Sequence, residues 1–321
     1  MLSGKILITG GTGSLGTAIL HRAQREGWPA TFSILARNET KMSQTLARFP
    51  HVTGIIGDVR DREWLNTVLP GHEYVIHAAA VKIVPVAEIN VREAVLTNVI
   101  GSQNVAAAAV KAGVRRVVGI STDKACQPTT IYGCTKALME GIFREANSWS
   151  TTEFILVRYG NVLRSSNSVI PLFERQIQEG KPFTITSCEM TRFWLTMNQA
   201  IDLIIDALSW ERTGVTLVPK PPAMSMVDLA RALDPNREIV EIGVRPGEKI
   251  HEQLIHSGES LHTVDRGKYF EVFPPTARVE SNLPSGYEYT SNRPSFWLTR
   301  EKLYQMLNEY IPDGGKVWGS G

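Results

Sequence analysis

A carboxylic acid, two amines and a phenol fall within one short stretch of this chain, as Thr122-Asp123-Lys124 followed by Tyr132 and Lys136. Together they are the groups that proton and hydride chemistry on an alcohol requires. From Tyr132 onward the pattern turns helical, so Tyr132 and Lys136, four apart, share a face with the ammonium near the phenol. A neighbouring cation favours the phenolate, which would make Tyr132 a base near neutral pH. Asp123 and Lys124 form a second pair. Asp123 serves as an acid and Lys124 as a base only if burial raises the first pKa and lowers the second; a close ion pair would do the reverse, so their protons are coupled. The bland alternatives are a Tyr and a Lys on an ordinary exposed helix, and a turn ion pair worth little to stability.

Such groups need strand ends to hold them. Val117-Val118-Gly119-Ile120 reads as a buried parallel strand that delivers Ser121, Thr122 and Asp123 at its carboxyl end, where open α/β sheets place their chemistry. Lys5 to Thr9 reads as a first strand, and Gly10-Gly11-Thr12-Gly13-Ser14-Leu15-Gly16 follows it before a helical pattern that ends near Gly27. The spacing is GxxGxxG, and strand, glycine loop and helix come in the order that seats a pyrophosphate on a helix N-terminus. Gly10, Thr12, Gly13, Ser14, Leu15 and Gly16 are therefore cofactor-binding candidates.

The second strand ends in Ala36-Arg37-Asn38, where an NAD-selective site usually has an acidic residue. Arg37, grouped with Lys41, suits a 2′-phosphate instead and favours NADP over NAD, although it also fits an exposed loop charge. A third strand over 55–59 brings Asp58 and Val59 to the cofactor, with Asp58 towards the adenine amino group; its other reading is a helix cap. A fourth runs into Ala78-Ala79-Ala80, against which the cofactor could lie, unless the alanines serve packing alone. Lys82 follows in the next loop, placed for cofactor, substrate or solvent. Asn98 lies in a long helix over 91–112 and could hold a backbone carbonyl or the active-site lysine.

A sixth strand over 153–159 ends in Gly160-Asn161-Val162, facing the same crevice. Strand then helix recurs to this point, so the fold class is α/β: a Rossmann-like doubly wound parallel sheet with a smaller, interleaved C-terminal substrate domain. Residues 1–165 are expected as the NADP-binding domain with the catalytic residues. Residues 166–311 are expected mainly as a substrate-binding domain with some segments returning to the sheet, and 312–321 as a flexible tail. In the second part a helix opens at Val169 and an amphipathic helix starts at Asn198. Arg192, in Met190-Thr191-Arg192-Phe193, and Arg245, in Arg245-Pro246-Gly247-Glu248-Lys249, offer guanidinium forks for phosphates, and Glu248 could accept from a ribose.

The 321 residues are 43% apolar and 21% charged, as in an ordinary globular protein. A net charge of +2, spread over mixed-sign segments, speaks against nucleic acid and membrane surfaces as partners. No apolar run approaches the roughly 18 residues that would span a bilayer, and no basic-then-apolar start suggests a leader; a cytoplasmic enzyme is expected. Three cysteines, Cys126, Cys134 and Cys188, lack paired spacing, so neither a disulfide framework nor a metal site is expected.

Taken together, the GGTGSLG loop, Asp58-Val59-Arg60-Asp61, HAAAVK at 77–82, Thr-Asp-Lys followed by Tyr-x-x-x-Lys, and Met190-Thr191-Arg192-Phe193 resemble the extended short-chain dehydrogenases/reductases. More narrowly, the chain looks like the soluble, inverting UDP-N-acetylglucosamine 4,6-dehydratases that also epimerise C5, from Lys5 to about Pro275. The resemblance implies an NADP-dependent hydro-lyase acting on a UDP-sugar. Hydride leaves C4, water leaves across C5 and C6, and the hydride returns to C6, giving UDP-2-acetamido-2,6-dideoxy-beta-L-arabino-hex-4-ulose. It implies that Tyr132, poised by Lys136, removes the C4 hydroxyl proton, that Asp123 protonates the departing C6 hydroxyl and that Lys124 takes and returns the C5 proton. Thr122 joins this catalytic set, while Lys82, Asn161, Val169, Arg192, Arg245 and Glu248 meet the substrate. A homo-oligomer, dimer or hexamer, is implied as well. Tyr132 favours this branch over membrane-anchored retaining relatives, which carry Met there. Two departures from the family pattern stand out: Arg164-Ser165-Ser166-Asn167-Ser168 replaces a Gly-Ser-Arg-Gly-Ser turn, moving the cation, and Cys126-Gln127-Pro128 replaces Ala-Asn-Pro. The competing activities are a nucleotide-sugar 4-epimerase, a 5,6-dehydratase without hydride return and a non-catalytic NADP-binding regulator.

Overall fold

Strand and helix alternate through the first half of the chain: β1 (Gly4–Thr9), α1 (Ser14–Glu26), β2 (Ala30–Ala36), α2 (Glu39–Arg48), β3 (Thr53–Ile56), α3 (Arg62–Val68), β4 (Tyr74–His77), α4 (Val84–Ile89), α5 (Val91–Val95), α6 (Gly101–Ala112), β5 (Arg116–Ile120), α7 (Ile131–Trp149) and β6 (Glu153–Val157). The remainder adds β7 (Asn161–Val162), α8 (Val169–Gln178), β8 (Phe183–Ile185), β9 (Thr191–Leu195), α9 (Met197–Ser209), β10 (Thr216–Pro219), β11 (Ala223–Ser225), α10 (Met226–Leu233), β12 (Ile239–Glu241), β13 (Gln253–Ile255), β14 (Thr263–Asp265), β15 (Tyr269–Val272), β16 (Tyr289–Thr290) and α11 (Arg300–Glu309). This computed structural model describes residues 2–165 and 168–309. The expected tail at 312–321, and residues 166 and 167 of the altered turn, lie outside the described residues.

The main sheet has nine strands in the order β14-β15-β10-β6-β5-β4-β1-β2-β3. From β3 to β10 neighbouring strands run parallel, and β15 and β14 close the far edge antiparallel. Strand order reverses between β1 and β4, so their carboxyl ends diverge and leave a crevice. Both faces of the sheet are covered, as the unbroken apolar runs require. Ile6 and Ile8 of β1 pack into one layer with Ile19 of α1 and Ile201 and Ile204 of α9. Leu7, pointing the opposite way, joins Leu65 of α3, Val105 of α6 and Phe143 of α7.

The helix expected over 91–112 is continuous but contains a π turn at Leu96–Ile100 between α5 and α6. Such turns recur at functional sites. Here Asn98, 1% exposed, donates to the Val81 carbonyl (3.0 Å) and Thr135 Oγ1 (3.0 Å) and accepts from the Val81 N–H (2.8 Å). It holds backbone, not the lysine. The helix placed at Asn198 starts instead at Met197, because Thr196 and Gln199 form a reciprocal capping box.

Beyond β6 a second core forms from Phe173 of α8, Phe183 of β8, Trp194 of β9, Leu229 of α10 and Leu303 of α11. The chain meanwhile returns β10, β15 and β14 to the main sheet. Arg158, just past β6, clamps the junction. It donates to Glu140 of α7 through Nε (3.0 Å) and Nη2 (2.7 Å) and to Glu259 through Nη1 and Nη2 (2.8 Å each). No helix among the described residues is long and apolar enough to cross a membrane.

Candidate active site

The carboxyl ends of the parallel strands open onto one cleft of about 1080 Å³, walled on its far side by the loop at 245–249. That exceeds an ordinary single-ligand pocket. Its near end is a cradle. Gly10 has φ +71°, and a Cβ there would lie 2.9 Å from the backbone of Ala79. Gly13, the N-cap of α1, has no side-chain cap, and a Cβ on it would meet protein only at the Gly10 carbonyl, 3.1 Å away. The N-terminus of α1 therefore faces the cleft beside Thr12, Ser14 and Leu15, which fits a pyrophosphate. Gly16 does not face it: a Cβ there would press on the Gly11 carbonyl, so this glycine packs the loop onto α1.

Arg37, Asn38 and Lys41 line the cleft beyond β2, and Asp58 and Val59 beyond β3. Asn38 caps α2 by accepting from the Lys41 N–H (2.8 Å). The Asp58 carboxylate accepts from Arg60 N (3.0 Å) and Nε (2.8 Å) and lies 3.7 Å from Arg37 Nη1. Burial works against its charge, but the bonds from Arg60 hold it below the usual range. Asp61, not Asp58, caps α3. Ala78, Ala79 and Ala80 form the wall beyond β4, and Lys82 stands above them, its ammonium drawn down by burial and then by Lys41.

Thr122, Lys124, Tyr132 and Lys136 line the cleft floor, but Asp123, 1% exposed, lies beneath it. Thr122 Oγ1 donates to Asp123 Oδ1 (2.8 Å), and Lys124 Nζ donates to the same oxygen (3.1 Å) and to Glu252 Oε1 (2.8 Å). Burial and then the Glu252 charge raise the Asp123 carboxyl, as an acid requires. Lys124 departs from expectation. Burial opposes its charge, yet Asp123 and Glu252 outweigh burial and push the ammonium up rather than down.

Tyr132 and Lys136 also differ from the sequence reading. Lys136 Nζ turns to Met139 Sδ (2.9 Å), and burial draws the amine down to about 7. Burial pushes the phenol of Tyr132 up to about 12, and the cation that opposes this is Lys124, not Lys136. Desolvation of a phenolate outweighs a single nearby charge here. Thr130 caps α7 by accepting from Gly133 N (3.0 Å), and Glu88 accepts from Ile131 N (2.7 Å), so the turn that carries Tyr132 is anchored twice.

At the far end Asn161, Val169, Arg192, Arg245 and Glu248 all line the cleft. The fork of Arg192 is already engaged. Nη1 donates to the Thr191 (2.8 Å) and Ile250 (2.9 Å) carbonyls, and Nη2 to that of Lys249 (3.0 Å), so it braces the 245–252 segment instead of presenting two free donors. Arg245 is exposed at the rim. The displaced cation of the altered turn, Arg164, is 6% exposed, takes a left-handed φ of 57° and donates to Glu174 (3.0 Å) and the Leu307 carbonyl (3.2 Å), away from the cleft. Sequence reasoning did not single out Glu252 and assigned Arg158 no role. The only available signal for Glu252 was a carboxylate soon after the Arg245-to-Lys249 loop and just ahead of the apolar Leu254-Ile255.

A doubly wound sheet with an uncapped glycine turn after β1 and a Tyr132/Lys136 pair opening α7 defines an extended short-chain dehydrogenase/reductase. Residues 6–274 match the family described as polysaccharide biosynthesis protein, and the chain belongs to that family. It is 36% identical to the UDP-N-acetylglucosamine 4,6-dehydratase (inverting) of Campylobacter jejuni subsp. jejuni serotype O:2, across 94% of this chain and 97% of that one. It is 40% identical to the UDP-glucose 4-epimerase of Rickettsia massiliae, across 97% and 91%. The X-ray structure of Pen from Bacillus thuringiensis superposes with a TM-score of 0.88 at 34% identity, across 96% of this chain and 97% of that one.

Proposed function

We propose that the chain is an NADP-dependent UDP-N-acetylglucosamine 4,6-dehydratase that inverts C5. The observation that carries this reading is the buried Asp123 hydrogen-bonded to Lys124: a carboxyl raised by burial against an amine that lines the cleft. Elimination of water across C5 and C6 needs an acid and a base at once, and 4-epimerisation needs neither at that position. A nicotinamide cofactor bound in the cradle would supply the hydride acceptor for C4 and the hydride donor for C6. Gly10, Thr12, Gly13, Ser14 and Leu15 would hold its pyrophosphate, and Arg37 and Lys41 its 2′-phosphate. Tyr132, with Lys136 beside it on the cleft floor, removes the C4 hydroxyl proton; Lys124 passes a proton to Asp123, which makes an acid and a base of the ion pair; Asp123 then protonates the departing C6 hydroxyl, and Lys124 exchanges the C5 proton, which the C4 carbonyl has made acidic. Thr122 orients the Asp123 carboxyl. Arg245 and Glu248 meet the nucleotide end, with Lys82, Asn161 and Val169 around the sugar. Homo-oligomeric assembly belongs to the same proposal, and sedimentation velocity tests it.

A second reading, 4-epimerisation, is supported by the relatives named UDP-glucose 4-epimerase at 40% identity. Substrate carrying deuterium at C4 separates the two. A dehydratase moves the label to a C6 methyl group, whereas an epimerase returns it to C4 and keeps the C6 hydroxyl; recovery of the latter pattern alone would reject our reading.

A further inference from the structure

We infer that Glu252 is a positioning residue of the acid–base pair, fixing the place of Lys124 from the segment that follows the substrate loop. This rests on the dehydratase reading. Glu252 is 1% exposed and stands just before β13, far in sequence from Lys124, yet its Oε1 accepts from Lys124 Nζ at 2.8 Å, closer than Asp123 Oδ1 at 3.1 Å. Its backbone is pinned on both sides: the N–H donates to Ser291 Oγ (2.9 Å), and the carbonyl accepts from the Ser291 N–H (2.8 Å). Among the described residues Glu252 Oε2 has no hydrogen-bond partner, and it is buried, so the carboxylate is held there at the expense of one unsatisfied oxygen. A buried acceptor left half-satisfied signals a role other than stability.

The charges around the pair are few. Lys124 feels Asp123, Glu252 and Arg192, and it in turn acts on Tyr132. Glu252 feels Lys124, Arg192 and Lys249. Asp123 Oδ1 already receives the Thr122 hydroxyl, so Glu252 supplies the second anchor that keeps Nζ from swinging to Asp123 alone. Arg192 of β9 braces the segment that carries both Lys249 and Glu252, so the loop that meets the nucleotide and the carboxylate that seats the amine are held as one piece. Lys124 is thereby registered to the end of the cleft where the substrate is gripped.

The test uses the isolated 6-deoxy-4-keto product, whose C5 proton exchanges with solvent without any hydride step. Wild type and Glu252→Gln are compared for C5 exchange in deuterated buffer across pH, and for first-turnover cofactor reduction at C4. Glu252→Gln keeps an acceptor and removes the charge. Because a carboxylate raises its partner amine, the exchange midpoint should move to lower pH by about one unit or more. Its maximal rate should fall about tenfold or more through misplacement, while C4 reduction, which uses Tyr132 and Lys136, stays within about twofold. Glu252→Asp should restore the midpoint and not the rate. A Glu252→Gln protein with wild-type midpoint and rate overturns the inference, and so does a parallel loss of both steps with an unmoved midpoint, the mark of a merely structural role. Wild type that yields only C4-epimerised sugar overturns the functional reading and this inference together, and does so before any variant is made.

Discussion

Lys136 is a buried amine with no carboxylate on its Nζ among the described residues, and burial draws it from its ordinary 10.5 down to about 7, with Glu140 pulling the other way. Between those values the unfolded chain holds a proton that the folded chain lacks. Stability therefore rises with pH across that window through this group, and the destabilisation is complete below about 7. Lys136→Met should flatten the rise, as urea midpoints measured for both proteins over the same window will report. Arg37, largely exposed and only loosely paired with Asp58 at 3.7 Å, is available for a 2′-phosphate. Arg37→Ala should weaken NADP⁺ binding about tenfold or more, the loss of one charge-assisted hydrogen bond, and leave NAD⁺ binding unchanged; calorimetric titration of both cofactors checks it. Thr122, Asp123, Lys124, Tyr132 and Lys136 were legible because they are neighbours in the chain, on one strand end and one helix turn. Their protonation was not, since it depends on Glu252, which arrives 128 residues later, and on how deeply Tyr132 and Lys136 are buried.

Elements position these residues through polar anchors that leave uneven marks in a sequence. The strand, glycine turn and helix at the start are legible because glycine spacing and apolar runs encode them locally. The start of α9 was misplaced by one residue because Asn198 looks like a cap, whereas the reciprocal Thr196 and Gln199 bonds win. Arg158, a strand-end arginine to which the sequence assigns no role, joins α7 to the Glu259 turn through four charged bonds in a nearly dry setting. Arg158→Met leaves Glu140 and Glu259 buried against each other and should destabilise the fold by about 3–5 kcal/mol, read as a drop in the denaturant midpoint. Thr130→Ala should cost about 1 kcal/mol through loss of the α7 cap and, by loosening the turn under Tyr132, lower kcat more than it raises KM.

At the scale of the whole molecule, two cores share one cleft: the sheet layers supply the cradle and the acid–base floor, and the later core supplies the loop that closes over the far end. The parallel sheet was legible from repeated strand-helix rhythm. The short late strands β14 and β15, and the return of β10 between β6 and β15, were harder, because three- or four-residue strands carry too little pattern to predict their partners. Arg164 of the altered turn is an anchor to α8 and α11, while Ser165 and Ser168 of the same turn line the cleft. The central claim is that this cleft dehydrates UDP-N-acetylglucosamine and inverts C5. Its most direct test is to incubate the protein with NADP⁺ and that sugar nucleotide in deuterated water and to follow the sugar by NMR. A 6-deoxy-4-keto product with inverted, deuterated C5, lost in Lys124→Ala, is the predicted result; a product with C5 retained, or a sugar that keeps its C6 hydroxyl, would contradict it.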